Sequence, residues 1–183
     1  YVIMGDSMTD LVRGIRRITG KAALLPKWAY GYIQSRERYK SQEEIREIAG
    51  EFRRRKIPVS CLVQDWLSWE EGKWGDKHLD KKRYPDMKEL TDNLHEWGMG
   101  LMLSVWPNMN KGGEDNREMM EAGKLYANLS TDDAFDEEAR ELYWKQCERE
   151  LFSGGVDAWW CDSTEPFTPD WNGTGTRTEE ERY

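Results

Sequence analysis

Short apolar segments alternate along this chain with polar segments that have the spacing of amphipathic helices, and this alternation constrains the fold more than any other feature. The apolar segments, each of strand length, are residues 28–35, 59–66, 99–106 and 156–162. The segments with apolar side chains at helical intervals are 41–56, 86–97, 115–122 and 137–152. This succession predicts an α/β fold with parallel strands joined by right-handed crossovers.

Start and stop signals support the predicted helices. Ser41 and Glu44 have the spacing of a capping box, in which each side chain bonds a free backbone N–H of the first turn. Asp86 and Glu89 repeat the pattern before the next apolar stripe, and Gly98 follows that stripe, where a left-handed residue commonly ends a helix. The helix boundaries are therefore marked independently of the hydrophobic pattern.

Two architectures use such repeats: an open doubly wound sheet and a closed (β/α)8 barrel. An open sheet that binds nucleotides or phosphate carries a glycine-rich turn after its first strand, and this sequence has none. Four strand–helix units occupy nearly all 183 residues, whereas a full TIM barrel needs about 250. If the fold is a (β/α)8 barrel, this sequence accounts for about half of it, and an open α/β fold with an unrelated hydrolase or phosphate function is the rival.

Composition excludes several classes of function. Acidic residues outnumber basic ones, 35 to 27, which disfavours nucleic acid and anionic membranes as partners, and no apolar run is long enough to span a bilayer. Three scattered cysteines and two histidines are a poor basis for disulfides, a zinc site or a Ser-His-Asp triad, and we expect the thiols to be buried. The N-terminus lacks a signal-peptide pattern, which leaves the compartment open and slightly favours the cytoplasm. Ten tryptophans are compatible with a sugar-binding cleft.

Candidate catalytic residues stand where the predicted strands end, since active sites of parallel α/β enzymes lie at the C-terminal ends of strands. Asp65 ends the second strand and Asp162 the fourth. If these strands are neighbours, the two carboxylates converge on one cleft, as acid–base or nucleophilic chemistry requires. A strand-end aspartate can instead be only a loop cap, and strand tryptophans are often core residues.

Side-chain alternation assigns the faces of the strands. Asp162 shares a face with Trp160, which leaves Trp159 on the opposite face, packed against helices. Asp65 shares its face with Val63 and Cys61. The acidic cluster at 131–141 has the composition of a solvated surface.

Four stretches in order along the chain resemble motifs of glycoside hydrolase family 31, the α-glucosidase and α-xylosidase family. Residues 155–166, GVDAWWCDSTEP, resemble its nucleophile signature, in which an Asp ends the fourth barrel strand and Glu-Pro follows. Residues 62–66, LVQDW, are similar to its second-strand motif. Residues 25–39 resemble the entry into strand one, and 83–109 the second helix and third strand.

The resemblance implies roles for individual residues. Asp162 is then the nucleophile, and Asp65 binds a sugar hydroxyl in the −1 subsite. Trp106 and Trp160 line that subsite, and Glu165 is a supporting group that steadies the nucleophile.

The catalytic partner of the nucleophile is expected outside this chain. The family's acid/base is another aspartate on a later barrel loop, and Asp170 comes too early to be that residue. The chain alone is therefore expected to be inactive.

The resemblance also divides the chain. Residues 1–26 are expected to be the tail of an N-terminal β-sandwich followed by a linker helix over 9–19. Residues 27–183 are expected to form the first half of the catalytic barrel. The half-barrel has open edge strands, so we expect it to be stable only with the remaining barrel or a partner, and homo-oligomers are possible partners.

The implied activity is hydrolysis of α-xylosides or α-glucosides with retention, by double displacement. Such enzymes hold their two carboxyl groups about 5–5.5 Å apart and need no metal or organic cofactor. The expected partner is an oligosaccharide or small α-glycoside. The aromatic residues before Asp162 resemble the α-xylosidase-like branch, in which a bulky residue such as Trp106 or Trp66 could exclude glucose. An α-transglycosylase and a non-catalytic carbohydrate-binding relative are the alternatives.

Overall fold

A computed structural model describes residues 2–126 and 129–162. Its α-helices are α1 (Met8–Thr19), α2 (Gln42–Arg54), α3 (Met87–Glu96), α4 (Glu114–Glu121) and α5 (Glu137–Cys147). Its strands are β1 (Ile33–Gln34), β2 (Cys61–Gln64), β3 (Gly100–Val105) and β4 (Ala158–Cys161). The predicted alternation of strands and helices is confirmed.

All four strands are parallel and lie side by side in the order β1-β2-β3-β4. Consecutive order is what a barrel produces, whereas a doubly wound sheet reverses its strand order at a switch point. Within the described residues, β1 and β4 are each paired on one side only. The sheet therefore has the topology of the first four strands of a barrel.

One face of the sheet packs against the helices. Leu62, Leu101 and Leu103 belong to the main apolar cluster, with Ile45 from α2 and Leu94 from α3. All five are buried. The opposite face carries the residues that alternate with these, among them Val63, Met102 and Ala158, and is called the inner face below.

The predicted caps explain where the helices begin. Ser41 accepts the N–H of Glu44, and Asp86 accepts that of Glu89. Gly98 has a φ of 72° directly after α3. The cap of α5 was not predicted: Asp136 accepts the N–H groups of Glu138 and Ala139.

All four strands are shorter than the predicted apolar segments, and two predicted elements change conformation part-way along. The strand at 28–35 is wrong over its first half, because Lys27–Tyr30 form a 3₁₀ helix and Gly31 separates them from β1. The single helix at 137–152 changes at Glu148–Phe152 into a π-helical turn. Both changes occur at the ends of elements, where tertiary contacts override the local pattern.

The predicted linker helix is α1, and its apolar residues are exposed: Met8, Val12, Ile15 and Ile18. Residues 2–7 form no helix or strand, and their assignment to a preceding β-sandwich stays a prediction. Among the described residues, no helix has the length and apolarity needed to cross a membrane.

Candidate functional site at the C-terminal end of the sheet

Asp65 follows β2 directly, in a turn that the surrounding side chains hold in an unusual conformation. Trp66 and Leu67 have φ values of 51° and 54°, in the left-handed region that non-glycine residues rarely occupy. Gln64, which is fully buried, donates from Nε2 to the carbonyls of Asp65 and Trp66. Ser104 of β3 accepts the N–H of Trp66 at 2.8 Å. A backbone conformation of this kind costs free energy and persists only where the surrounding structure holds it. Such conformations cluster at active and ligand-binding sites.

The carboxyl group of Asp65 lies in a partly desolvated, negatively charged position. Burial raises its pKa above the ordinary value, and the negative charge of Asp162 raises it further, while a hydrogen bond with Ser104 opposes the shift. Its Oδ1 atom is buried and has no hydrogen-bond partner among the described residues. A carboxylate oxygen at a strand end that has no protein partner is suited to accept a hydrogen bond from a ligand hydroxyl.

Asp162 follows β4, where its N–H donates to the carbonyl of Val105 at 3.0 Å. Asp65 and Asp162 do not stand on neighbouring strands, because β3 lies between β2 and β4. Strands about 4.8 Å apart place the two positions roughly 10 Å apart, still close enough for their charges to interact. Glu165 and Asp170 lie outside the described residues.

The strand register places the predicted site residues on one face. Side by side on the inner face are Val63, Met102 and Ala158, and two positions further along these strands come Asp65, Ser104 and Trp160. Trp159 points the other way and packs edge-on against Trp144 of α5, with ring centroids 6.0 Å apart. The predicted alternation of Trp159 and Trp160 is therefore confirmed.

The two predicted subsite tryptophans differ in exposure. Trp160 is 45% exposed on the inner face. Trp106 is buried, with its ring edge-on to Trp69 at 5.0 Å. The Trp106 ring is therefore held by its packing, whereas the Trp160 ring is accessible on the inner face.

Two hollows border the sheet. One of about 520 Å³ is lined by inner-face residues that include Val63, Met102 and Trp160. A larger one, of about 660 Å³, lies near Trp28 and Ser60 at the N-terminal end of β1 and β2. The first borders the face that carries Val63, Met102 and Trp160, but neither Asp65 nor Asp162 lines it, so the strand register and not the hollow locates the candidate site.

Sequence reasoning missed the residues that hold Trp106 in place. Tyr143 of α5 donates its hydroxyl to the Trp106 carbonyl at 2.8 Å. The Lys77 ammonium, which is buried, lies 4.0 Å from the centre of the Tyr143 ring. Burial lowers the pKa of Lys77, and nearby carboxylates, Asp115 foremost, oppose that shift. The contact between Lys77 and Tyr143 could not be predicted from a sequence pattern, because the two residues are 66 positions apart.

Two predicted exposures are wrong. Asp132, in the acidic cluster expected on the surface, is buried because its loop pairs with the segment that follows β3: Thr131 forms a bridge with Asn108, and the Asp132 N–H donates to the Pro107 carbonyl. Cys161, expected to be buried, is exposed because it lies on β4, which is paired on one side only within the described residues. Cys61 and Cys147 are buried as predicted.

The burial of Asp132 predicts a pH dependence of stability. Desolvation raises its pKa to about 6 from an ordinary value of 3.8, although Lys77 opposes the shift. Between about pH 4 and pH 6 the folded state holds a proton that the unfolded state has released, so the free energy of unfolding falls as pH rises through this window. Asp132→Asn removes this loss, and the variant should gain up to about 3 kcal/mol relative to the wild type between pH 4 and pH 7.

The measurement is urea unfolding of the complete protein at several pH values. Asp92→Asn, a change on the exposed face of α3, is the matched control. Parallel pH curves for the wild type and Asp132→Asn would contradict the prediction.

The chain is similar to known glycosidases over most of its length. Residues 22–183 match the TIM-barrel domain of glycosyl hydrolases family 31. The α-xylosidase of Saccharolobus solfataricus is 42% identical over 168 residues, which are 92% of this chain and 23% of that protein. The crystal structure of a family 31 α-xylosidase from Xanthomonas citri superposes with a TM-score of 0.83 at 37% identity, over 88% of this chain and 19% of the other. A soil-metagenome α-xylosidase, crystallised with xylose, gives 0.81 at 31% identity, over 88% and 26%.

The family includes other α-glycosidases and transferases. An α-glucosidase of S. solfataricus is 29% identical over 91% of this chain and 26% of that protein, and an isomaltosyltransferase of Sporosarcina globispora is 26% identical over 69% and 14%. This chain thus spans about a third of the length of its curated relatives or less. It belongs to glycoside hydrolase family 31, and its sheet is part of that family's TIM barrel.

Proposed function

We propose that this chain supplies the nucleophile side of the active site of a retaining α-glycosidase that hydrolyses α-xylosides or α-glucosides. The observation that carries the proposal is the pair of strand-end carboxylates, Asp65 and Asp162, on the inner face of the sheet, where the charge of one raises the pKa of the other. Membership of a glycosidase family supplies the reaction class.

The proposed reaction is a double displacement. An oxygen of Asp162 forms a bond to the anomeric carbon while the glycosidic C–O bond breaks and an acid from outside this chain protonates the departing oxygen. Water then attacks the same carbon, the conjugate base of that acid removes its proton, and Asp162 leaves as the carboxylate. The nucleophile, the acid/base and water are the only groups that react with the glycoside in these two steps, so the reaction needs no cofactor.

The remaining residues position the sugar. Asp65 accepts a hydrogen bond from a hydroxyl of the −1 sugar through Oδ1, which has no partner among the described residues. Trp160 presents an apolar face to the pyranose ring, and Trp106 closes the wall beside it. Glu165 is proposed to support Asp162.

We propose an α-xyloside as the preferred substrate. Xylose lacks the C6 hydroxymethyl group, and bulky rings follow β2 and β3. The Trp106 ring lies edge-on to Trp69, the Trp106 carbonyl accepts the Tyr143 hydroxyl, and Trp66 lies edge-on to Trp74 at 6.4 Å. The relatives with identities of 31 to 42% described above are α-xylosidases. Transglycosylation remains the second candidate, because a relative is an isomaltosyltransferase.

The test is a comparison of initial rates of the complete protein that carries this chain on aryl α-xyloside, α-glucoside and α-galactoside. We expect kcat/KM on the xyloside to exceed that on the glucoside by at least tenfold, since one extra hydroxymethyl in a tight pocket costs about 1–3 kcal/mol. A glucoside preference would overturn the sugar assignment but not the chemistry. Sugar binding without turnover of any of the three would favour the non-catalytic alternative.

A further inference from the structure

We propose that Asp76, His78 and Asp115, joined by Glu114, form a binding site for one divalent transition-metal ion, with Zn²⁺ as the best match. The site lies where the segment that follows β2 meets the start of α4. It is separate from the proposed catalytic carboxylates and does not depend on the proposed function.

The donor atoms already lie close together. One ligand atom from each of Asp76, His78 and Asp115 can be chosen so that all lie within 4.8 Å of one another. His78 Nε2 is 3.7 Å from Asp115 Oδ1 and 3.7 Å from Glu114 Oε2. Tetrahedral zinc with bonds of about 2.0–2.1 Å separates its ligands by roughly 3.3 Å. The two 3.7 Å pairs must close by about 0.4 Å, and a pair at the 4.8 Å bound by about 1.5 Å, so side-chain adjustment is enough to close the site.

The His78 ring is oriented as in many metal sites. Its Nδ1 atom faces Glu150 Oε1 at 3.4 Å, which directs Nε2 into the cluster. Glu150 is itself fixed, because Oε2 accepts the N–H of Leu79 at 3.1 Å and the ammonium of Lys81 at 3.0 Å. Histidine ligands of metals commonly place the second ring nitrogen against such a carboxylate, which fixes the tautomer and ring orientation.

A buried oxygen in the cluster lacks a partner. Asp115 is 1% exposed, and its Oδ2 atom accepts the N–H of Lys77 at 2.5 Å. Its Oδ1 atom, the one that faces His78 Nε2, has no hydrogen-bond partner among residues 2–126 and 129–162. A buried polar atom without a partner costs free energy and points to an unrecorded water or ion. An ion bound to His78 would satisfy this oxygen.

Charge also favours a cation. Asp76 and Asp115 lie in one cluster, Glu114 faces the same His78 nitrogen, and the ammonium of the buried Lys77 lies over the Tyr143 ring. Asp76 accepts the N–H groups of Glu114 and Asp115 at the start of α4, and each of its oxygens keeps a second lone pair for a metal. One imidazole with several carboxylates suits zinc, whereas calcium prefers oxygen ligands alone.

An ion at this position would fix the border of the active site. It would connect α4 to the segment between β2 and α3, which carries Trp66, Trp69 and Trp74. Trp69 is in edge contact with Trp106. The ion therefore has a structural role, compatible with a catalytic step that uses no metal.

The test is calorimetric titration of the complete, chelator-treated protein with ZnCl2, together with thermal melts. We expect one equivalent to bind with a micromolar or lower dissociation constant and to raise Tm. His78→Gln and Asp115→Asn should each weaken binding at least tenfold, and Glu150→Gln should weaken it by a smaller factor. Glu121→Gln, an exposed change at the end of α4, is the matched control and should leave binding unchanged.

His78→Gln keeps the test decisive if Asp115→Asn does not fold, because His78 is at the surface side of the cluster, with its side chain 25% exposed. Substitution by Co²⁺ gives an independent readout: the visible spectrum of a nitrogen- and oxygen-ligated ion should appear in the wild type and be lost in His78→Gln. Equal zinc binding by the wild type and His78→Gln, or no saturable binding, would overturn the proposal. In that case a proton shared by Asp76 and Asp115 accounts for the cluster.

Discussion

Asp162→Ala is expected to reduce kcat/KM on an aryl α-xyloside by about 10⁴- to 10⁶-fold, in line with the removal of nucleophiles from other enzymes. The reason is that the covalent glycosyl intermediate cannot form without the carboxylate at the end of β4. The fold should survive, because Asp162 is joined to β3 through its backbone N–H and lies beyond the last residue of the strand. A thermal melt of the variant checks that the protein is intact.

Added azide should restore part of the lost activity of Asp162→Ala. The smaller side chain leaves room for a small anion, which attacks the anomeric carbon directly when the leaving group is a good one. Because this is a single displacement, the product should be a glycosyl azide of inverted configuration, identified by NMR. An inverted product would show that azide attacks from the side of the sugar on which the Asp162 carboxylate stands in the wild type.

Asp157→Asn is the matched control for this result. It changes a carboxylate that precedes β4, at the opposite end of the strand, where Asp157 accepts the N–H of Leu101 and pairs with His95. This change should lower stability and leave kcat/KM within a few-fold of the wild type. Equal losses in the two variants, or an active Asp162→Ala protein, would rule out Asp162 as the nucleophile.

The fold could be predicted from sequence because its determinants are local. The caps at Ser41 and Asp86, the apolar runs and the helical stripes each depend on residues within a few positions of one another. Strand-end logic located Asp65 and Asp162 for the same reason: each directly follows an apolar run. The barrel interpretation also placed a third strand between the second and the fourth, and the structure has β3 there.

What the sequence could not predict depends on contacts between distant loops. Lys77 and Tyr143 are 66 residues apart, and the Asp76–Asp115 contact joins positions 39 apart, so neither leaves a periodic signal. The burial of Asp132 has the same origin, because an acidic loop reads as solvated surface until another loop covers it. Ser104, which bonds the Trp66 N–H, reads in sequence only as a polar residue within an apolar strand.

Asp65→Asn is expected to lower kcat/KM by about 10²- to 10³-fold, because it removes a charged hydrogen bond to the sugar. The decrease is smaller than that expected for Asp162→Ala, because the covalent step is still possible.

The pH profile should also depend on Asp65. Burial and the charge of Asp162 both raise the pKa of Asp65, so the environment already disfavours the ionised form that binds the hydroxyl. The activity of the wild type should therefore fall as Asp65 is protonated at acidic pH. Asp65→Asn should lack this part of the pH profile.

Monodeoxy aryl xylosides, each lacking one sugar hydroxyl, distinguish binding from catalysis at Asp65. The substrate that lacks the hydroxyl bound by Asp65 should be poor for the wild type, yet Asp65→Asn should discriminate against it by no more than a few-fold, because that interaction is already lost. Azide should not restore the variant, in contrast to Asp162→Ala. Glu70→Gln, an exposed carboxylate five positions further along the same loop, should behave as the wild type on every substrate. Undiminished discrimination against all the deoxy substrates would mean that Asp65 supports the turn at Trp66 and does not bind the sugar.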